Sequence, residues 1–165
     1  MAELELTTRP ERPEDAAQIE RLHDRAFGPG RYARTAYRLR EGRPHRQDLS
    51  FTTLVGTLLV GSVRLSSVRS GSIDVVMLGP LAVEPAFERR GIAGALIQEA
   101  LAACRAAGEQ LVMLVGDPSY YTRFGFRPAP PGSFVFPGPV DPARILYVEL
   151  AEGAFERAKG EVRPL

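Results

Sequence analysis

Hydrophobic and polar positions along the chain follow two periods, which predict alternating strands and helices. Near the start, Leu4, Leu6 and Thr8 alternate with polar residues, as in a half-buried strand. Apolar residues then recur at helical spacing over residues 14–27, until Gly28-Pro29-Gly30 ends the pattern. The first part of the chain is therefore predicted to form a strand followed by a helix.

The second half of the chain contains the strongest pattern. An apolar run from Val75 to Val83 predicts a buried strand, and Gly91 to Ala107 predicts an amphipathic helix that Gly108 ends. Leu111 to Val115 then predicts a short interior strand. This order predicts a strand–helix–strand crossover inside a mixed α/β fold.

Weaker patterns complete the predicted secondary structure. They predict a helix over residues 32–41 and a hairpin of Ser50 to Val55 and Thr57 to Ser66 about Gly56. A short helix is predicted over residues 119–124, and an irregular Pro- and Gly-rich loop over residues 128–142. The last predicted strand runs from Ile145 to Leu150 and is followed by a polar, weakly helical tail.

Composition narrows the classes of protein that need to be considered. The 165 residues predict a single domain spanning residues 1–165. A net charge of +1 gives no general electrostatic attraction to nucleic acid. The single cysteine excludes an internal disulfide, and neither a signal peptide nor an apolar run of membrane-spanning length is visible. We therefore expect a cytoplasmic protein that binds neither nucleic acid nor membranes.

A candidate anion site lies where the buried strand leads into the strongest helix. Arg89, Arg90, Gly91, Ile92, Ala93 and Gly94 bring small residues and two arginines to the helix N-terminus. N–H groups without helical partners point outward there, and the helix dipole favours negative charge. The spacing matches neither a Walker loop nor a dinucleotide fingerprint, which disfavours a nucleotide-binding domain. The alternative is a tight strand-to-helix connection with incidental arginines.

Gly79-Pro80 interrupts the apolar run from Val75 to Val83. Because proline donates no hydrogen bond, an interior strand that contains it must be bulged or parted from one neighbour. A parting beside Leu111 to Val115 would open a slot whose free backbone groups could pair with an amide-containing ligand. The slot and the anion site together suit coenzyme A, which has amides at one end and a diphosphate at the other. The alternative is a structural kink without a ligand.

With these features the sequence resembles the GNAT superfamily of acyl-CoA-dependent N-acetyltransferases. Its acetyl-CoA motif, Gln/Arg-x-x-Gly-x-Gly/Ala, corresponds here to Glu88-Arg89-Arg90-Gly91-Ile92-Ala93. Leu78-Gly-Pro-Leu-Ala-Val83 and the block from Gly116 to Pro128 are similar to the YhbS-like branch. The resemblance implies a GNAT-like fold: a single domain with a mixed central sheet, a bulged and splayed central strand pair, and flanking helices. It puts the cofactor core at about residues 75–128.

The resemblance also implies a function and its residues. It implies an acyltransferase of the class that transfers groups other than aminoacyl groups. The enzyme would transfer the acetyl group directly from acetyl-CoA to an amine and would need no metal. Tyr121 would protonate the departing thiolate, and the backbone at Leu81 would polarise the thioester carbonyl. The implied cofactor-binding residues are Leu81, Ala82, Val83, Arg89, Arg90, Gly91, Ile92, Ala93, Gly94, Tyr120, Tyr121 and Phe124. Glu88 departs from the motif, so Arg89 or Arg90 would replace its contact.

The general base and the cysteine need separate consideration. The family often has a glutamate on the central strand, but the corresponding position here, around Met77, is apolar. We expect Glu84 and Asp74 to be solvated strand-end carboxylates, and we expect neither His23 nor His45 to act as the base; a base acting through water, or solvent alone, stays open. Cys104 lies on the apolar stripe of the strongest helix, so a covalent acyl-cysteine mechanism is disfavoured.

The acceptor is expected to be a small amine, an amino-acid-like molecule or a protein amine. Residues 28–48 and the loop 128–142 are expected to wall its side of the site. Arginines there would suit a carboxylate-bearing acceptor, but a solvated arginine face explains them equally well. A non-catalytic acyl-CoA-binding sensor or interaction module is the alternative function, favoured by Glu88 and the apolar Met77. A homodimer is left open, because dimers are common in the family and nothing in the sequence decides the matter.

Overall fold

A nine-stranded sheet runs through the part of the chain that the computed structural model describes, which is residues 5–28, 39 and 44–165. The strands are β1 (Leu6–Pro10), β2 (Phe51–Val55), β3 (Leu58–Ser70), β4 (Ile73–Val83), β5 (Leu111–Val115), β6 (Arg127–Pro128), β7 (Phe134–Val135), β8 (Ile145–Glu149) and β9 (Gly160–Pro164). The α-helices of these residues are α1 (Ala16–Phe27), α2 (Ile92–Ala106), α3 (Pro118–Tyr121) and α4 (Ala154–Ala158). None of them is long and apolar enough to cross a membrane.

The order of the strands gives the sheet its mixed character. The main path is β1-β2-β3-β4-β5-β8-β6, with β9 paired to β3 and β7. Along the main path every neighbouring pair is antiparallel except β4 and β5, which are parallel and are joined through α2. This is the mixed α/β sheet with one central crossover that the sequence predicts.

Helix α2 covers one face of the sheet because β3 lets it approach closely. A Cβ atom at Gly61 would lie 2.7 Å from Cγ2 of Ile92 and 3.2 Å from Cδ1 of Leu96, so only glycine allows this packing distance. Val63 and Leu65 follow Gly61 on the same face at the two-residue period of a strand, and both are fully buried. The apolar stripe of α2 and alternate residues of β3 thus form one core.

The opposite face of the sheet is covered by α1 and by the C-terminal part of the chain. Ile19 and Leu22 of α1 pack with Leu59 and Ala82. A second buried cluster on this face contains Leu39, Val68, Val75, Met77, Leu111, Met113, Ala129, Phe134, Ile145, Tyr147, Ala154, Ala158 and Val162. Strands β4 and β5 are therefore buried on both faces, which explains why they read as continuous apolar runs.

The central strand pair is bulged and splayed, as expected from Gly79-Pro80. Between Val63 and Leu65 the register against β4 shifts, so that two steps along β3 oppose three steps from Leu78 to Leu81. On its other edge β4 pairs with β5 only at Val76 and Met77. Beyond Met77 the two parallel strands are no longer paired, so the prediction of a bulged, splayed central pair is confirmed.

Two predictions about the elements need correction. Strand β3 continues past Ser66 to Ser70, and a turn at Gly71 leads directly into β4. The strand predicted at residues 145–150 and the helical segment predicted after it are present as β8 and α4, but β8 is not the last strand, because β9 follows α4 and pairs with β3 through Ser70 and Val162. The helix predicted over residues 32–41 lies outside the described residues, apart from the buried Leu39.

Candidate active site

The parted strands form a fork, by which we mean the opening between Leu78–Val83 of β4 and the end of β5. The backbone N–H of Glu84 donates to the carbonyl of Val60 on β3 at 2.8 Å. Because successive residues of an extended strand direct their N–H and C=O groups to opposite edges, those of Val83 and Leu81 point into the fork. The fork therefore has backbone hydrogen-bonding groups along its β4 edge.

The side chains of Leu81, Ala82 and Val83 lie on two different faces of β4. Leu81 and Val83 are half-buried and pack against the core under α2. Ala82 is buried on the opposite face, against α1. The three side chains thus fix the strand between two apolar layers and leave its edge open toward the fork.

The N-terminus of α2 presents unpaired backbone donors. Its N-cap, Gly91, has φ 77° and ψ 11°, and no side chain caps the helix there. The N–H of Ala95 makes the first helical hydrogen bond, to the carbonyl of Gly91 at 3.0 Å, so those of Ile92, Ala93 and Gly94 have no helical acceptor. A Cβ atom at Gly91 would meet no atom within 4 Å. We call residues 89–94 the cradle, an open surface with outward donors.

Arginines give the cradle its charge. Arg89 is exposed and has φ 64°, the left-handed conformation, and Arg90 is exposed with its guanidinium carbon 5.4 Å from the centre of the Phe87 ring. Glu88 is exposed at the end of a 3-10 turn. Glu84 accepts two hydrogen bonds from Arg25 of α1, at 2.6 and 3.0 Å, so its carboxylate is paired with a positive charge.

Aromatic residues after β5 form the second wall of the fork. A Cβ atom at Gly116 would lie 2.5 Å from Cε2 of Tyr121, so the phenol ring lies directly against the backbone where β5 ends. The Tyr120 ring is 5.1 Å from that of Tyr121 and 5.5 Å from that of Phe124. A Cβ atom at Gly94 would be 3.5 Å from Phe124, so this wall reaches back to the cradle.

The protonation state of Tyr121 follows from its surroundings. Burial, with a smaller contribution from Tyr120, raises its pKa to about 12, and the positive charge of Arg144 opposes the shift only weakly. The phenol is therefore protonated at neutral pH. It can donate a hydrogen bond, but it cannot serve as a base.

The positions considered for a general base or a nucleophile are either buried or already paired with another side chain. Met77 is buried and Asp74 pairs with Arg69 at 2.9 Å, while His23 lies buried on α1. Cys104 is fully buried within α2, and burial raises the pKa of its thiol to about 12. The chain's single thiol is thus protonated and inaccessible.

A buried ionic cluster escaped the sequence analysis. The carboxylate of Glu11 is only 2% exposed and lies 2.6 Å from Nε2 of His45 and 3.0 Å from Nε of Arg64. Burial alone would raise the pKa of Glu11, but the hydrogen bonds from His45 and Arg64 outweigh it and lower that pKa. His45 and Arg64 are 34 and 53 positions away in sequence, so no local pattern could have revealed the cluster.

The comparisons with known proteins identify the family of the chain. The family model of the GNAT acetyltransferase domain matches residues 7–129. YjhQ of Escherichia coli K12, described as an uncharacterized N-acetyltransferase, is 32% identical over 129 residues, covering 76% of this chain and 71% of that protein. YhbS of the same organism is 34% identical over 120 residues, or 72% of each chain.

Two solved structures are similar along nearly the whole chain. The crystal structure of Escherichia coli YhbS in complex with CoA has a TM-score of 0.79 at 28% identity and covers 100% of this chain and 92% of its own. A GNAT family acetyltransferase from Brucella melitensis in complex with acetyl-CoA has a TM-score of 0.72 at 28% identity, with coverage of 99% and 97%. The chain belongs to the GNAT acetyltransferase family, and its resemblance to the YhbS-like branch is confirmed.

Proposed function

We propose that the protein is an N-acetyltransferase that moves the acetyl group of acetyl-CoA directly to an amine. The observation that carries the proposal is the alignment of three parts along one opening: the free edge of β4, the cradle, and the Tyr121 wall. The bound CoA and acetyl-CoA of the two similar crystal structures support the same cofactor class.

The described residues fit acetyl-CoA on chemical grounds. Its diphosphate needs several N–H donors and positive charge, which the cradle offers without a side chain at Gly91 to block close approach. Its pantetheine amides need strand-like partners, which the backbone of Leu81 and Val83 offers along the fork. Acetyl-CoA would supply an activated thioester. Phe124, packed at Gly94, would border the cofactor beside the cradle.

Each residue then has a defined task in the transfer. The N–H at Leu81 would donate to the thioester carbonyl and stabilise the negative charge that develops on its oxygen. The amine nitrogen would bond to the acetyl carbon as the carbon–sulfur bond breaks. Tyr121 would donate its phenolic proton toward the departing sulfur, the proton lost by the amine would pass to solvent, and Tyr121 would take a proton back from solvent. The products would be an amide and the free CoA thiol.

Direct transfer is favoured over an acyl-enzyme by the position of Cys104. A covalent route would need an accessible thiolate, whereas this thiol is buried in α2 and has a raised pKa. The acceptor amine must therefore reach the fork itself, in its neutral form.

Two measurements test the proposal. Isothermal titration calorimetry should show acetyl-CoA binding to the folded protein, and incubation with acetyl-CoA and a panel of amines should release the CoA thiol. Binding without amine-dependent thiol release would favour the acyl-CoA-binding sensor instead. No binding at all would remove the cofactor assignment.

Tyr121→Phe tests the proposed acid separately. We expect kcat to fall by about tenfold or more while the Kd for acetyl-CoA stays unchanged, because only the proton donor is lost and the ring is kept. Tyr147→Phe is the matched control, since that tyrosine packs against Phe155 on the other face of the sheet. Equal rates for wild type and Tyr121→Phe would contradict the acid role alone.

A further inference from the structure

An apolar cleft lies on the face of the sheet opposite α2, within residues 129–145. Its volume is about 220 Å³, and its lining includes Phe134, Val135, Phe136, Val140, Pro142 and Ile145. All the residues that line it are apolar or glycine. A cavity of about 150 Å³ is sufficient to bind benzene, so this cleft can hold a group of that size.

The cleft leaves apolar surface in contact with water. Val135 is 55% exposed, and Phe136 and Val140 are half-buried. A hydrocarbon group bound between them would remove this surface from water, which is favourable in proportion to the area buried. The lining has no charged side chain that could neutralise a carboxylate or an ammonium group inside the cleft.

The cleft is connected to the fork through continuous apolar packing. Ile145 pairs with Val115, the last residue of β5, beyond the point where β4 and β5 are paired. Phe134 and Ile145 belong to the same buried cluster as Met77 and Met113, the pair at which the fork closes. Ile145 therefore joins the wall of the cleft to the end of β5, the strand that borders the fork.

We propose that this cleft binds the apolar part of the acceptor, so that the substrate class is a primary amine carried on a compact aryl or alkyl group. The inference rests on the proposed acetyltransferase function and names its substrate class. The ammonium end, once neutral, would extend across the end of β5 into the fork. There its nitrogen would bond to the acetyl carbon as the carbon–sulfur bond breaks, giving the amide and the CoA thiol.

A binding experiment tests the cleft without requiring turnover. The Kd values of 2-phenylethylamine and ethylamine would be measured by NMR titration, on the protein alone and with saturating CoA. Both probes carry the same ammonium group and differ only in the apolar part. We expect 2-phenylethylamine to bind at least about tenfold more tightly, because the phenyl ring fills the cleft. Equal Kd values would overturn the proposal.

Neutral polar substitutions locate the binding. Val135→Asn and Val140→Thr should each weaken 2-phenylethylamine binding by about fivefold or more and leave ethylamine unaffected, because they put a polar group on the cleft wall. Leu58→Asn is the matched control, since Leu58 is 52% exposed, like Val135, but lies at the hairpin between β2 and β3. An equal effect of Val135→Asn and Leu58→Asn would overturn the assignment to this cleft.

Turnover separates this inference from the proposed function. If acetyl-CoA does not bind in calorimetry but the probe preference persists, the acetyltransferase proposal fails and the cleft stands as a binding site. If acetyl-CoA binds and ethylamine is acetylated with the same kcat/KM as 2-phenylethylamine, the substrate class fails and the acetyltransferase stands. The expected result is a kcat/KM at least about tenfold higher for 2-phenylethylamine.

Discussion

Tyr121 shows how burial of one residue sets the pH range of the proposed reaction. Its pKa, raised to about 12 chiefly by burial, keeps the phenol protonated at every pH at which the protein would be assayed. The acceptor amine must lose its proton before it attacks. We therefore expect kcat/KM to rise with pH as the amine becomes neutral, without a falling limb up to about pH 10.5.

Initial rates of thiol release, with uncatalysed acetyl-CoA hydrolysis subtracted, would give this profile. Repeating it with two amines of different basicity is the control, because the rising limb should move with the amine. A falling limb centred near pH 10, the ordinary range for a tyrosine, would mean that an unshifted group must stay protonated. That result would contradict the assignment of Tyr121 as the donor.

For single residues, the sequence predicted the local features of the site and missed those that depend on distant parts of the chain. Gly91, Tyr121 and the Gly79-Pro80 interruption lie within contiguous motifs, and the structure brings all of them to one opening. Glu11 follows a strand and a proline and looks like any solvated loop carboxylate. Only the fold, by bringing Arg64 and His45 to it, makes it a buried ion.

Among the elements, α2 offers an internal comparison between its two ends. Gly91 at its start and Gly108 just after its end have nearly the same backbone, with φ of 77° and 75°, and a Cβ atom at either would meet no atom within 4 Å. Replacing either by alanine forces a left-handed conformation on a residue with a Cβ atom. We expect each variant to lose about 1 kcal/mol of unfolding free energy.

Only the N-terminal variant should affect the proposed cofactor. In Gly91→Ala the new methyl group stands on the cradle, so we expect acetyl-CoA to bind about tenfold more weakly. Gly108→Ala introduces the same conformational strain at the other end of α2, where there is no cradle. Its Kd for acetyl-CoA should therefore equal that of the wild type. Urea unfolding and calorimetry measure the two quantities. Equal Kd values for both variants would contradict a diphosphate site at residues 89–94.

The elements that sequence predicted well are those with a strong period or a long apolar run. Helix α2 and strand β5 were found within about one residue of their bounds. Strand β9 was missed because its side chains include only one large apolar residue, Val162, and because its pairing with β3 joins positions roughly ninety residues apart. Pairing with a distant partner, and not local propensity, makes this segment a strand.

Ionic contacts join distant segments of the chain on the face opposite α2. Glu11 follows β1, Arg64 lies on β3 beside the Gly79-Pro80 bulge, and His45 precedes β2. Arg64 also lies 3.6 Å from Glu20 of α1. The carboxylate of Glu11 therefore connects the first strand with the interior of the sheet next to the fork.

Glu11→Gln should show how much this connection contributes. The substitution keeps the shape but removes the charge, leaving the 14% exposed Arg64 side chain without its main counter-ion. We expect a loss of about 2 kcal/mol or more in unfolding free energy at neutral pH, since breaking one partner of a buried ion pair is costly. Asp74→Asn is the control, because it breaks a single pair with Arg69 at the surface and should cost less than about 1 kcal/mol.

The contribution of Glu11 to the free energy of unfolding should depend on pH. The pKa of Glu11 is lower in the folded protein than its ordinary value, so its ionised form stabilises the fold. That contribution is complete above the ordinary glutamate pKa of about 4.3, and it disappears as the pH falls through the lower folded value. The stability difference between wild type and Glu11→Gln, measured by urea unfolding, should be constant near neutral pH and shrink in acid. A difference that grew in acid would mean that the buried carboxylate destabilises the fold when ionised, contrary to its contacts with Arg64 and His45.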